Sequence, residues 1–279
     1  MSEAMPRRSV EPALFRVLGL AFTIFIVAYI LIPIVVTLVM SFNDAAMIRF
    51  PINAWSAKWY QDFFASEQWT DALKNSIIIA IGTAAISTSA GILAAWAFER
   101  FHIPFKDGWY LLIMLPLFMP GVVLGLGVAI AFGGLQIGSY SIYGSRELVM
   151  IAHSLWAMPL VFMLMEATFR TIDYRVVEAS YDLGGRPMRT FFEIVMPMVS
   201  TGIISSALFA FVISLNEFVM ALFLTDRDTQ TLPVLMWLSL RSAGTPRLAV
   251  ASVILALTVF ACLTLIMLWY VRQLRKVAR

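Results

Sequence analysis

The sequence predicts an all-α polytopic membrane protein, with six transmembrane helices, both termini cytoplasmic, and residues 1–279 forming a single transmembrane domain. Three observations carry this prediction. First, 61% of the residues are hydrophobic and only 13% are charged, with a mean hydropathy of +0.85, whereas a soluble chain is about a quarter charged. Second, six apolar runs are long enough to cross a bilayer, which takes about 20 helical residues. They are residues 14–41, 75–98, 109–132, 147–169, 199–225 and 248–270. Third, lysine and arginine are unevenly shared between the two sets of alternating connecting segments, thirteen in one set and seven in the other. Cytoplasmic segments hold the excess, which puts both termini and the loop 171–193 inside. The formal charge of +3 therefore sits at membrane edges and does not point to nucleic acid.

Near the start of the chain, Arg7-Arg8 has the form of a twin-arginine export signal. The apolar run behind it is too long for a signal peptide and no small-residue cleavage site comes after it, so it is expected to stay as the first span. The external segment 43–74 is rich in aromatics, including Trp55, Trp59, Tyr60 and Trp69. Amphipathic aromatics favour the membrane–water interface, so a helix lying flat is expected. A landing surface for an external protein, carried by Trp59 and Tyr60, is compatible with that. In the third run, Pro116 and Pro120 each remove a backbone donor and should bend or break the helix. Gly121 and Gly125 form a small-xxx-small pair suited to close helix packing, although a kink beside a ligand pathway reads the same way.

In the fourth run, Glu166 and Arg170 stand four apart in the favourable orientation for an ion pair. His153 has no partner at metal-ligand spacing and reads as a packed or hydrogen-bonded residue. The fifth run holds Ser214-Leu-Asn216-Glu217 in its outer half. A carboxylate there costs about 2–3 kcal/mol and usually faces a bundle interior or a water-filled cavity. Asn216 and Glu217 are thus candidates to line a substrate path, the alternative being a buried ion pair or hydrogen bond with a neighbouring subunit. The last external segment, 226–247, carries a ten-residue apolar stretch, too short to span, that suits an interfacial or re-entrant helix. Asp226 and Asp228 read as a solvated turn. The basic tail 272–279 suits the anionic cytoplasmic leaflet. Cys262 lies in an apolar run and reads as an inert packing residue.

The loop 171–193 is the most basic internal stretch. Asp173 is placed to cap a helix over residues 174–183, and Gly184-Gly185 to close it in the left-handed conformation. A helix that size is about 15 Å long and cannot span a bilayer. Val176, Ala179 and Leu183 share one face, with Val177 and Tyr181 beside them, so it has an apolar side to lay on something.

Glu178-Ala179-Ser180, three residues, Gly184, nine residues, then Ile194-x-Met196-Pro197 resembles the cytoplasmic loop of ABC importer permeases, Glu-Ala-Ala-x3-Gly-x9-Ile-x-Leu-Pro. Ser180 and Met196 depart from it by small or volume-conserving changes. The resemblance implies the type I importer transmembrane domain. It also implies that Tyr174, Val177, Glu178, Ala179, Ser180, Asp182, Leu183, Gly184 and Gly185 dock an ATPase subunit. Trp59-Tyr60, the Leu115–Gly121 stretch and Phe223-Leu-Thr225 are most similar to the spermidine/putrescine branch, second permease of the pair. That similarity implies a complex of two permeases, two ATPase copies and a periplasmic binding protein in the bacterial inner membrane. It would import a polyamine or another small organic cation, with iron, thiamine, opines or phosphonates carried by related permeases.

The chain has no phosphate-binding Gly-x4-Gly-Lys-Ser/Thr loop, so ATP and Mg are expected on the partner ATPase and no cofactor or metal on this chain. It also lacks His-Glu-x-x-His and Gly-x-Ser-x-Gly, which argues against a membrane enzyme. An ion-coupled carrier using Glu217 and a structural membrane protein are the competing readings. A carrier usually shows matched halves with discontinuous helices, and no such halves are evident.

Overall fold

The computed structural model describes residues 13–242 and 244–277. Arg7 and Arg8 lie outside the described residues, as do Arg279 and the side chains of the basic tail from Arg272 on. Among the described residues four helices are long and apolar enough to cross a membrane unbroken, and two bent pairs bring the number to six when each pair is counted as one span.

The first span is α1 (Ala13–Ser41), apolar all round and exposed along nearly its whole length, as a helix in lipid or against another subunit would be. Outside the membrane, α2 (Lys58–Ala65) is the expected short external helix. The second span, α3 (Glu67–Arg100), and the fourth, α6 (Arg146–Phe169), form the central pair. Small residues set their separation: a Cβ on Gly91 would lie 2.5 Å from Val161 Cγ1 and 3.2 Å from the Phe162 backbone nitrogen.

The third span breaks as its prolines predict, into α4 (Lys106–Phe118) and α5 (Gly121–Phe132), bent by 101°. Met119 is extended, the conformation a residue before proline prefers. The Trp156 indole of α6 donates to the carbonyl of Pro116 at 2.9 Å, so part of the interrupted backbone is satisfied inside the bundle. Beyond it, β1 (Gln136–Ile137) and β2 (Tyr140–Ser141) form a small external hairpin.

The cytoplasmic loop is α7 (Tyr174–Asp182), then α8 (Pro187–Thr190), a π-helical turn over Phe191–Val195, and α9 (Met196–Met198). A bend of 74° at Val199 leads into α10 (Ser200–Asn216). The fifth span does not continue unbroken to Thr225. It opens at Glu217-Phe218 and resumes as α11 (Val219–Leu224). The external helix α12 (Leu232–Ser242) comes next, and α13 (Arg247–Val277) is the sixth span. Three clusters fill the interior. One at the cytoplasmic half centres on Phe98, Phe162 and Phe169, one at the outer half on Leu148, Met220 and Leu224, and an external one on Phe63, Trp69 and Leu232.

Candidate functional site

The cytoplasmic handle is built as the sequence indicates. The Asp173 carboxylate accepts from the Arg175 backbone N–H at 3.1 Å and from the Arg175 guanidinium at 2.9 and 2.8 Å. That guanidinium holds the carboxyl below the usual range. Gly184, at φ +83°, closes the helix in the left-handed conformation. Leu183 stands just past the helix as its cap, so α7 ends at Asp182.

Two faces of α7 differ. Val177 is 1% exposed and, with Tyr174 and Tyr181 beside it, packs into the cytoplasmic cluster. There Trp96 stands 5.4 Å from both Phe169 and Phe191, joining the second span, the fourth span and the π-helical turn. The other face is uncovered. Leu183 is 89% exposed, and Val176 and Ala179 line with it a cleft of about 430 Å³ that ends at Glu193 and Ile194. Ser180 faces back, its hydroxyl 2.9 Å from that of Thr190. Gly185 lies where α7 meets α8: a Cβ there would be 2.7 Å from the Ser180 carbonyl and 2.9 Å from Thr190 Oγ1. Glu178 and Asp182 are exposed.

At the break in the fifth span, Glu217 and Asn216 part company. The Glu217 side chain is turned into the bundle and is 2% exposed. Its two oxygens accept the backbone N–H groups of Val219, Met220 and Ala221 at 2.9–3.1 Å, capping α11. Its Oε2 lies 3.1 Å from Nε2 of His153, which is fully buried. The buried partner of Glu217 thus belongs to its own chain. Asn216, one residue earlier on the helix, is exposed. With Phe218 and Trp237, whose rings are 5.5 Å apart, it lines an apolar groove of about 690 Å³ between α1, α12 and α13.

His153 is a hydrogen-bonded core residue, as its isolation suggested, but its link to Glu217 was not read from the sequence. Glu166 and Arg170 form the expected pair at 2.6 Å. Outside, Trp59 and Tyr60 are half-buried. The Trp59 indole donates to the Ala45 carbonyl at 3.2 Å, and the Tyr60 hydroxyl lies 2.8 Å from that of Ser41. These contacts turn both side chains inward, and the aromatic left outermost is Trp55, 69% exposed. Among the described residues no group of three or more potential ligands could hold a metal.

Comparison shows the fold of this bundle to be that of a type I ABC importer transmembrane domain. A bacterial ABC transporter that imports the acidic polysaccharide alginate has the same fold, with a TM-score of 0.68 at 14% identity over 96% of this chain and 99% of that one. The chain belongs to the family of binding-protein-dependent transport system inner membrane components, whose model matches residues 87–279. It is 31% identical to the putrescine transport system permease protein PotI of Escherichia coli K12, over 80% of each chain. It is 26% identical to the spermidine/putrescine permease PotC of the same strain, over 87% of this chain and 90% of that one. The chain is thus the permease subunit of an ABC importer.

Proposed function

We propose that this permease takes putrescine, spermidine or a similar aliphatic amine cation inward across a bacterial inner membrane. In this reading residues 1–279 act as one domain, alongside a second homologous permease, an ATPase pair and a periplasmic binding protein. ATP and Mg stay on the ATPase. Similarity to the putrescine and spermidine/putrescine permeases supports the cargo.

The observation that carries the mechanism is the division of α7. Val177 fixes the helix to the bundle, while Val176, Ala179 and Leu183 are left uncovered on the cytoplasmic side. An ATPase seated on that face would push on Val177 and Tyr181, and so on the aromatic cluster that joins three elements of the bundle. The bends at Val199 and Met119-Pro120 are the places where the spans can yield. Cargo would pass Asn216, with Phe218 and Trp237 supplying aromatic faces that attract ammonium groups. The external segment would receive the binding protein, with Trp59 and Tyr60 holding its shape and Trp55 presented outward.

The test is uptake of labelled putrescine and spermidine by proteoliposomes holding the complete assembly. The reading expects uptake that requires internal ATP and the binding protein. Uptake by this chain alone on a proton or sodium gradient would replace it with an ion-coupled carrier.

A further inference from the structure

On the external side, the start of α3 and the turn that follows α11 face each other across a cleft of about 420 Å³. Glu67, Asp71 and Asn75 recur every four positions and so form one stripe along α3. Asp228 and Gln230 supply the other wall, and every lining residue except Ala72 is polar or charged. Three carboxylates and one guanidinium, that of Arg227, line the space. Asp71 holds Lys74 at 2.8 Å, both side chains being exposed. No ion pair holds Glu67, Asp228 or Arg227 among the described residues.

Asn75 is only 2% exposed. Its Nδ2 donates to the carbonyl of Asp228 at 2.9 Å and to that of Gln230 at 3.1 Å. Carbonyl oxygens only accept, so the atom facing them is the amino group and the amide cannot be turned over. Oδ1 is thereby committed as an acceptor, and it receives no hydrogen bond. Oε1 of Gln230, on the opposite wall, receives none either. Buried acceptors are rarely left so, and what this cleft lacks is a donor.

An ammonium group offers three donors and no acceptor, and its charge suits the acidic lining. The carboxylates do not gather as the ligands of a metal ion would. Glu67 and Asp71 stand about 6 Å apart along the helix axis, a spread that charges separated by an alkyl chain can match and a single ion cannot. We infer that this cleft is a binding site for an aliphatic amine with two or more ammonium groups. Those groups are shared among the carboxylates of Glu67, Asp71 and Asp228 and donate to the open amide oxygens of Asn75 and Gln230. The site is preorganised. Asp226 Oδ1 accepts the backbone N–H groups of Asp228 and Thr229 at 3.0 Å each, and the Ser76 hydroxyl accepts that of Leu232 at 2.7 Å. That the amine held here is also the cargo rests on the transport reading above.

The test is equilibrium dialysis of labelled spermidine against the permease–ATPase assembly in lipid nanodiscs at low salt, with neither ATP nor binding protein present. The wild-type assembly should retain spermidine. Glu67→Gln combined with Asp228→Asn removes two exposed charge pairs and should weaken retention about tenfold, while the ATPase still co-purifies. On the wild-type assembly alone, butylamine, with one ammonium group, should compete far more weakly than unlabelled spermidine. No retention, equal retention by the double variant, equal competition by butylamine, or displacement by equimolar magnesium would each overturn the assignment. Dialysis involves no transport, so a mistaken cargo and a mistaken site fail separately.

Discussion

Replacing Gly185 by alanine strikes the joint that holds α7 to α8. The added methyl would sit 2.6 Å from Ser180 Oγ, 2.7 Å from the Ser180 carbonyl and 2.9 Å from Thr190 Oγ1. A hydroxyl can rotate away, but the carbonyl is backbone, and it also accepts the Gly185 N–H at 2.8 Å. Helix α7 must therefore lift from α8, and overpacking of this kind costs about 1–3 kcal/mol. Gly184→Ala is the matched control. It meets nothing within 4 Å, and its cost comes from the backbone at φ +83°, about 1–2 kcal/mol. Both variants should insert and assemble. In proteoliposomes with the ATPase and binding protein, Gly185→Ala should hydrolyse ATP with less uptake per ATP, because the helix no longer transmits its displacement to Thr190 and the π-helical turn. Gly184→Ala should be the milder of the two. Wild-type coupling in Gly185→Ala would show that the joint is loose, and the route from α7 into the bundle would have to be abandoned.

Other perturbations probe other parts. Glu178→Lys places a positive charge on the exposed side of α7 and should uncouple ATP hydrolysis from uptake without preventing membrane insertion, which membrane fractionation and an ATPase assay check together. Gly125→Leu should prevent α11 from seating on α5, since even a methyl at Gly125 would lie 3.0 Å from the Met220 Cα. Loss of folded protein after mild detergent extraction is the expected readout, and wild-type yield would contradict the packing. Because Asp173 is held below its usual range by Arg175, its cap is fully present above the ordinary carboxylate value. It is lost only as pH falls through the lowered one. Hydrogen exchange at the Arg175 amide, corrected for its intrinsic pH dependence, should therefore show constant protection near neutrality and a decline in acid.

Much of this was legible in the sequence, because the relevant signals are local. A long apolar run specifies a span, Met119-Pro120 specifies a break, and Asp173 with Gly184 specifies where a short helix starts and ends. The exposed Val176, Ala179 and Leu183 are placed by helical spacing alone. What was not legible depends on residues far apart in the chain. A carboxylate in an apolar run signals a buried partner or a wet cavity, but the sequence does not say that His153 waits on another span or that α11 offers three amides. Trp59 and Tyr60 are expected from the sequence to be interfacial aromatics. Their inward orientation depends on Ala45 and Ser41, which only the folded segment brings near. The widening at Phe191–Val195 also went unread, although Pro197 nearby, lacking an N–H, is the kind of residue that disturbs the helix ladder.

The most direct measurement is cysteine cross-linking from the exposed side of α7, which tests the proposed ATPase docking. Leu183→Cys in a Cys262→Ala background leaves a single thiol on this chain, since Cys262 is its sole cysteine. In membranes holding the whole assembly, that thiol should join to the nucleotide-hydrolysing subunit, with a yield that changes when ATP is bound. A thiol that reacts freely with a water-soluble maleimide and never yields an ATPase adduct would contradict the account.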